Sequence, residues 1–510
     1  MKAIPAPARP ALSAHLRLRL CSTIIRRQHR ACSQASTARS AYPAVLRPVF
    51  SPTTPLFPAN PAHVEILAQP ADFFNSLADG IAKARKRIVL ASLYLGASEQ
   101  RVADALRDAL KRNSDLTVDI LVDYFRGTRG PKSTVDLLQP LVNEFPDRFK
   151  LSLYHTPKVG SLIKKIVPPR FIEAFGLQHM KVYILDDDVM LSGANLNTDY
   201  FVDRQDRYIR FRQAGRLTEY YADLVRTVAS FSYAAAPANL GQSAALRPPT
   251  PHASDPVRLD TPALKLRAAG AMRDFINRWS PQRNQESKLP PASGDASAET
   301  YVAPVLHMAQ LGIRQEDKLL ARIFETITPA TANDRPWTVA LSSGYLNFPP
   351  SILSLLPRSR ASLAVLTAAP EANGFFGSKG VSRHLPAAYT HLEKGIMRLA
   401  EVMKITVSEW KKPGWTFHAK GLWCTPPGER TPVLAFIGSS NFGYRSLYRD
   451  VETQAVIVTG DEALRTALQK NLDDLWADSS VMTPEQLEAN PARKVHPGVA
   501  ITTRIIRTML

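Results

Sequence analysis

Cysteine is scarce, with three in 510 residues. Cys21 and Cys32 fall in a basic leader, so a chain that loses it keeps Cys424 alone and forms no internal disulfide, which suits a reducing compartment. The strand-like neighbours of Cys424 mark it as a core residue rather than a nucleophile. No cysteine–histidine cluster has zinc-ligand spacing, and no metal is expected. Acidic residues are missing before Glu65, a stretch that holds Lys2, Arg9, Arg17, Arg19, Arg26, Arg27, Arg30, Arg39 and Arg47. An Arg-rich, Ser- and Ala-rich, acid-free leader is the pattern of a mitochondrial presequence, and it lacks the apolar core of a secretory signal. No apolar run reaches the length of a membrane span. Setting the nine leader cations aside leaves about half of the formal +19 charge. That balance suits phosphate and anionic lipid and does not call for nucleic acid.

What the chain does have is one pattern twice. Gln178-His179-Met180-Lys181 opens an apolar strand, Val182–Leu185, and Phe417-His418-Ala419-Lys420 opens another, Gly421–Trp423. Residues two apart on a strand share a face, so each imidazole projects with its own ammonium. A turn and a return strand follow in each copy, ending in Ser192-Gly193-Ala194-Asn195 and Gly438-Ser439-Ser440-Asn441. Each asparagine is followed at one shared distance by an acid, Asp206 and Glu452. The two asparagines lie further apart in the chain than the two histidines. The excess fits the longer turn of the second copy, where insertion is tolerated.

His-x-Lys-x4-Asp followed by Gly-Ser-x-Asn resembles the phospholipase D superfamily. The runs Gly176–Lys181, Ser192–Leu196, Asn373–Gly377 and Asn441–Ser446 resemble its CDP-diacylglycerol–glycerol-3-phosphate 3-phosphatidyltransferase family, over roughly residues 62–478. The resemblance implies an α/β fold: duplicated phospholipase D-like domains with mixed sheets flanked by helices, related by a pseudo-twofold axis and sharing one active site. It implies CDP-diacylglycerol as donor, glycerol 3-phosphate as acceptor and no cofactor. It also implies a phosphohistidine intermediate, with His179 as nucleophile and His418 as acid and base. Lys181, Lys420, Asn195 and Asn441 would hold phosphate oxygens, and Asp206 and Glu452 would accept from histidine Nδ1. Asp186 completes the first motif and reads as a turn-ordering residue. Thr425 stands at the matching place in the second copy, a departure that makes the halves unequal.

The chain divides into residues 1–60 (presequence and Pro-rich spacer), 61–235 (first half), 236–300 (Pro/Ala-rich linker), 301–485 (second half) and 486–510 (basic amphipathic tail). Strands are expected at 88–93, 118–122, 338–341 and 363–366, and helices at 103–111, 264–279, 316–328 and 387–402. Tyr94 and Tyr345 hold matching places after the first strand of each half. Two glycine-rich loops are candidate substrate binders: Asp123–Gly130, whose Arg126 and Arg129 could cradle a phosphate, and Asn373–Gly380, with Asn373 and Lys379, whose aromatics could meet acyl chains or cytosine. Two stretches mix apolar and basic residues, Leu162–Ile172 and Ile501–Leu510. They are candidates for peripheral contact with an anionic membrane, expected on the matrix face of the mitochondrial inner membrane. The same site chemistry is open to a phospholipase D-type phosphodiesterase or a cardiolipin synthase. A degenerate scaffold is the non-enzymatic alternative, with Thr425 its one hint.

Overall fold

A computed structural model describes residues 42–510 apart from 131, 239–244, 250, 253–254, 260, 284–298, 330, 332–333 and 404. The basic leader, residues 1–41, and much of the expected linker therefore lie outside the described residues.

Two mixed sheets make up the fold, and each has the same strand order. In the first half the strands are β1 (Val64–Leu67), β2 (Arg87–Ala91), β3 (Thr117–Asp123), β4 (Phe149–Tyr154), β5 (Val182–Leu185), β6 (Asp188–Ser192) and β7 (Tyr208–Phe211). In the second they are β8 (Thr300–Met308), β9 (Thr338–Ser342), β10 (Ser362–Ala368), β11 (Ile405–Trp410), β12 (Gly421–Thr425), β13 (Leu434–Gly438) and β14 (Glu452–Thr459). The first sheet runs β4-β3-β2-β5-β6-β7-β1 and the second β11-β10-β9-β12-β13-β14-β8. In each, three strands are parallel (β2, β3, β4; β9, β10, β11) and the rest pair antiparallel. The repeated motif is thus the hairpin β5–β6 in one half and β12–β13 in the other. The α/β fold of two duplicated units follows from that repeated order.

Strand alternation decides what each side chain packs against. Along β14, Ala455 and Ile457 face one core while Val456 and Val458 face another. Ala435 and Ile437 of β13 join the first pair, and Leu434 and Phe436 the second. The first of these cores is shared with the other half, where Val189 and Leu191 of β6 belong to it. The second lies on the outer face of the second sheet under helices Gln315–Thr326 and Leu385–Met403, which bury Leu320, Ile323, Ile396 and Met397 there. Helix Gly215–Ala229 crosses between the sheets, and its Tyr221 hydroxyl donates to the Gln454 carbonyl.

Two segments set down above as spacer and linker are folded in place. In the first, Leu46, Val49, Phe50 and Leu56 are buried in the second half's core, and Phe57–Pro58 pairs with β8. In the second, helix Thr261–Trp279 buries Leu264, Ala268, Met272, Phe275 and Trp279 against the first half. Proline-rich composition conceals the first, whereas the second is the helix expected at 264–279, here packed on a core rather than lying in a free linker.

Arg207 pins the halves together. Its Nη1 donates to the carbonyls of Lys420 and Phe436, its Nε donates to Asn471, and its guanidinium lies 4.0 Å from the Trp423 ring centre.

Candidate active site

The repeated motifs deliver their polar residues to one end of the two sheets. His179 and Lys181 stand just before β5, Asn195 just after β6 and Asp206 just before β7. His418 and Lys420, Asn441 and Glu452 take the same places around β12, β13 and β14. An antiparallel run of three strands brings one start, one end and the next start to the same edge, which is why residues distant in sequence meet.

Each motif then docks onto the opposite half. The His179 amide donates to the Val451 carbonyl at 2.9 Å, and the His418 amide to the Gln205 carbonyl at 2.8 Å. A short parallel pairing backs each contact: Gln178 with Val451, and Thr416–Phe417 with Arg204–Gln205. The residue after each acceptor carbonyl is the acid. His179 Nδ1 lies 3.0 and 3.1 Å from the Glu452 carboxylate oxygens, and His418 Nδ1 lies 2.6 Å from Asp206 Oδ2. Each histidine is therefore oriented by the acid of the other half. The halves meet so tightly that a Cβ at Gly193 would stand 2.6 Å from both Asp206 Oδ1 and Lys420 Nζ.

Burial sets the charges. All four of His179, His418, Lys181 and Lys420 are buried, and so are both acids. Burial, with the neighbouring ammonium of the same motif, holds both histidines below their ordinary value and so neutral near pH 7, against the opposing pull of the acids. Burial drags Lys181 well down and Lys420 to about 8. The carboxylates remain ionised. Burial opposes this, but Lys420 and His418 hold Asp206 below its usual range, and His179 and Lys181 do the same for Glu452. A neutral imidazole that gives its Nδ1 proton to a carboxylate presents the Nε2 lone pair to the cleft.

The two lysines differ in what they touch. Lys181 Nζ donates to the His179 carbonyl at 2.7 Å, so Glu452 is the sole contact of His179 Nδ1 among the described residues. Lys420 Nζ instead lies 2.7 Å from His418 Nδ1 and 3.6 Å from Asp206 Oδ2. Around His418, the Lys420 ammonium and the Asp206 carboxylate both lie against one ring nitrogen.

Asn195 Oδ1 accepts from the Leu93 amide and its Nδ2 donates to the Tyr200 hydroxyl. The Asn441 backbone accepts from Ser343 and donates to Ser446, whereas its buried Oδ1 has no partner among the described residues. Asp186 stands apart from this cluster. Its carboxylate accepts from the amides of Arg85, Lys86 and Arg87, and it adopts a positive φ of 55° in the β5–β6 turn. It holds a loop and touches no catalytic group, which explains how Thr425 can occupy the matching place in β12.

The other sequence candidates are divided. Arg126 lies 4.5 Å over the ring of Tyr94, yet it shares Glu173 with Arg129, which pairs with that carboxylate at 2.9 Å. Asn373 is buried and caps its own loop by accepting from the Phe375 amide. Lys379 is exposed, and no contact joins it to the imidazoles among the described residues.

Several neighbours of the site went unread in the sequence. Gln178 donates its side chain to Ser92 and Leu121 carbonyls and its amide to Asp123, locking the strand that carries His179. Tyr200 and Tyr345 set their rings edge-on to His418, with centres 5.2 and 5.8 Å away. The Ser446 hydroxyl donates to Glu452 at 2.8 Å. Register-matched comparison finds one contrast directly: Tyr200 and Ser446 stand at equal distances beyond the two motif asparagines.

No protein-family model matches the chain. The mitochondrial CDP-diacylglycerol–glycerol-3-phosphate 3-phosphatidyltransferase of Cricetulus griseus is 35% identical over 479 residues, covering 89% of this chain and 84% of that protein. The CDP-diacylglycerol–glycerol-3-phosphate 3-phosphatidyltransferase of Saccharomyces pastorianus is 35% identical over 507 residues, covering 95% of each. Among solved structures, phosphatidylserine synthase from Haemophilus influenzae Rd KW20 shares the fold, with a TM-score of 0.66, 18% identity, and cover of 92% of this chain and 99% of that one.

Proposed function

The chain belongs to the CDP-diacylglycerol–glycerol-3-phosphate 3-phosphatidyltransferase family, and from that membership we propose how its residues move a phosphatidyl group from CDP-diacylglycerol to glycerol 3-phosphate. The observation that carries the reading is the exchange of acids between halves, which readies both imidazoles over one cleft. In the first step Nε2 of His179 attacks the phosphorus that bears diacylglycerol. The P–N bond forms, the P–O bond to the cytidylate breaks, and a proton from His418 satisfies the departing CMP. In the second, the 1-hydroxyl of glycerol 3-phosphate gives its proton to His418 and attacks the same phosphorus. The P–N bond breaks and phosphatidylglycerophosphate leaves. His179 is assigned as the nucleophile, with Glu452 holding its Nδ1 and orienting Nε2 for attack. His418 is the acid and base: its Nε2 carries the proton that moves, while Asp206 at Nδ1 supports the imidazolium form. Substrate phosphates beside His418 oppose the effect of burial and raise its proton affinity at the moment it must serve as acid. Lys181 and Lys420 stabilise the charge that gathers on the non-bridging oxygens.

Trapping tests the assignment. The full chain is quenched after mixing with CDP-diacylglycerol labelled at the diacylglycerol-bearing phosphate. His418→Ala is expected to retain label on protein, His179→Ala to retain none, and both to lose turnover by at least about a thousandfold. Label held by His179→Ala and absent from His418→Ala would reverse the roles.

Animal relatives such as that of Cricetulus griseus are named as mitochondrial, and this chain is read as a mitochondrial enzyme that works against the matrix face of the inner membrane. No helix among the described residues is long and apolar enough to cross a membrane. Helix Ser161–Ile166 instead leaves Leu162 and Ile166 about 70% exposed, with Phe171 beyond it exposed as well. Its Lys164 is drawn inward, with the ammonium 4.7 Å from the Tyr124 ring centre and near Phe125 and Tyr233. Arg449 donates to the carbonyls of Ala174, just past the first candidate membrane segment, and Thr508, within the second, and helix Pro497–Ile506 exposes Ile501 and Ile505. Apolar side chains beside Lys165 and Arg504 suit an anionic headgroup layer.

A further inference from the structure

The pseudo-twofold that relates the two motifs fails at one pair of positions. Arg204 stands at the same distance beyond Asn195 as Asp450 stands beyond Asn441. Each precedes its half's catalytic acid by two residues, at matching places in the strand edge that straps the opposite histidine. The two histidines therefore have oppositely charged flanks.

Asp450 is spent on structure. It accepts from the Leu177 amide at 2.9 Å and pairs with Arg445 at 3.1 Å. Arg204 is placed differently. Its guanidinium lies 4.6 Å over the ring of Tyr200, the same ring that meets His418 edge-on. Its Nε donates to Thr416, two residues before His418, and its Nη2 pairs at 3.1 Å with Asp199, a half-exposed carboxylate that an incoming phosphate would displace. A Cβ at Gly374 would stand 3.3 Å from the Tyr345 hydroxyl and 3.5 Å from Arg204 Nη2, so the loop 373–380 closes over this arginine and this tyrosine. The Arg204 side chain keeps 15% exposure, more than either catalytic imidazole. A cation on an aromatic wall beside the acid–base histidine, reachable from solvent and outside the His-Lys-Asn machinery, fits a phosphate that is not the one being broken.

The segment leading to the other histidine carries exposed apolar side chains among its lysines. Residues 155–178 lead into His179 and carry Leu162, Ile166 and Phe171 exposed, whereas the matching stretch before His418, residues 411–417, is shorter and bonds to Arg204 through Thr416.

We propose that Arg204, with Tyr345 beside it, binds the phosphate monoester of the water-soluble acceptor, so that the cleft is directional: acceptor on the His418 side, diacylglycerol on the His179 side. This rests on the transfer reading above. A guanidinium matches a phosphate bidentately, and its planar fork orients the glycerol so that the hydroxyl at the far end meets His418.

Steady-state kinetics on the full chain test it, with CDP-diacylglycerol in mixed micelles and glycerol 3-phosphate varied. Arg204→Ala is expected to raise KM for glycerol 3-phosphate about 10- to 100-fold while KM for CDP-diacylglycerol moves less than about threefold. Arg204→Lys keeps charge without the fork and should recover part of that loss. It also serves where the alanine variant fails to fold. An unchanged KM for glycerol 3-phosphate in either folded variant, or equal losses for both substrates, would overturn the proposal. Failure of the wild-type chain to release CMP in a manner dependent on glycerol 3-phosphate would instead overturn the transfer reading, before any variant is made.

Discussion

At the scale of single residues, the site is an arrangement of buried charges whose pH behaviours have opposite signs. Glu316 lies one layer behind Glu452, accepts from the Ser440 hydroxyl at 2.7 Å, and is pushed up to about 8, chiefly by burial. The folded chain therefore keeps a proton there that the unfolded chain releases between about pH 4.5 and 8, and stability falls as pH rises through that window. Glu316→Gln removes the titration but keeps the shape. Its melting temperature relative to wild type is expected to rise steadily from pH 5 to pH 8, and a pH-independent difference in thermal melts would contradict this. His418 behaves the other way. Held neutral in the fold, it binds less proton than in the unfolded chain, so its contribution is lost as pH falls below the ordinary histidine value. Asp206 and Glu452 add to that loss at lower pH still, as pH falls through their depressed range.

At the scale of elements, helix Ser161–Ile166 is the piece proposed above to meet the membrane. None of its residues is buried, and Lys164 over the Tyr124 ring keeps it on the body with Leu162 and Ile166 outward. Inserting each of these side chains contributes on the order of 1 kcal/mol when partly buried in lipid, so Leu162→Asp with Ile166→Asp is expected to weaken binding to cardiolipin-containing vesicles at least about tenfold. Sedimentation with vesicles of phosphatidylcholine alone and with added cardiolipin checks this. Equal recovery of variant and wild type with the anionic vesicles would remove the helix from the contact.

Much at this scale was legible beforehand. The two-residue spacing of His179 with Lys181 and of His418 with Lys420, and the hairpins that follow, set the strands and the shared edge. Alternation does not show which acid serves which histidine, since the exchange of Asp206 and Glu452 depends on how two sheets dock. Arg204 was hidden for a related reason. In the charged run Asp203–Arg207 only Asp206 stands out, by its register with Glu452, and the fold alone shows Arg207 sealed in the interface. Residues 42–58 read as spacer because proline is frequent there, although Leu46, Val49 and Phe57 were available to pack.

At the scale of the whole molecule, the halves are joined by a shared core and by Arg207 within it. Truncating that side chain leaves the carbonyls of Lys420 and Phe436 and the Asn471 oxygen buried without this donor. At about 1–3 kcal/mol for each unsatisfied group, less what the interface regains by relaxing, Arg207→Ala is expected to cost roughly 3–5 kcal/mol. A drop in melting temperature of several degrees or more, read by calorimetry, is the expected result. An unaltered melt would mean that the halves hold together without it.

Two identical chains brought together around an axis must present the same side chain at equivalent positions. A tandem chain is released from that constraint. With Arg204 on one flank and, at the matching place on the other, an Asp450 buried against Arg445 and the Leu177 amide, the two flanks of the paired motifs are free to serve different ends.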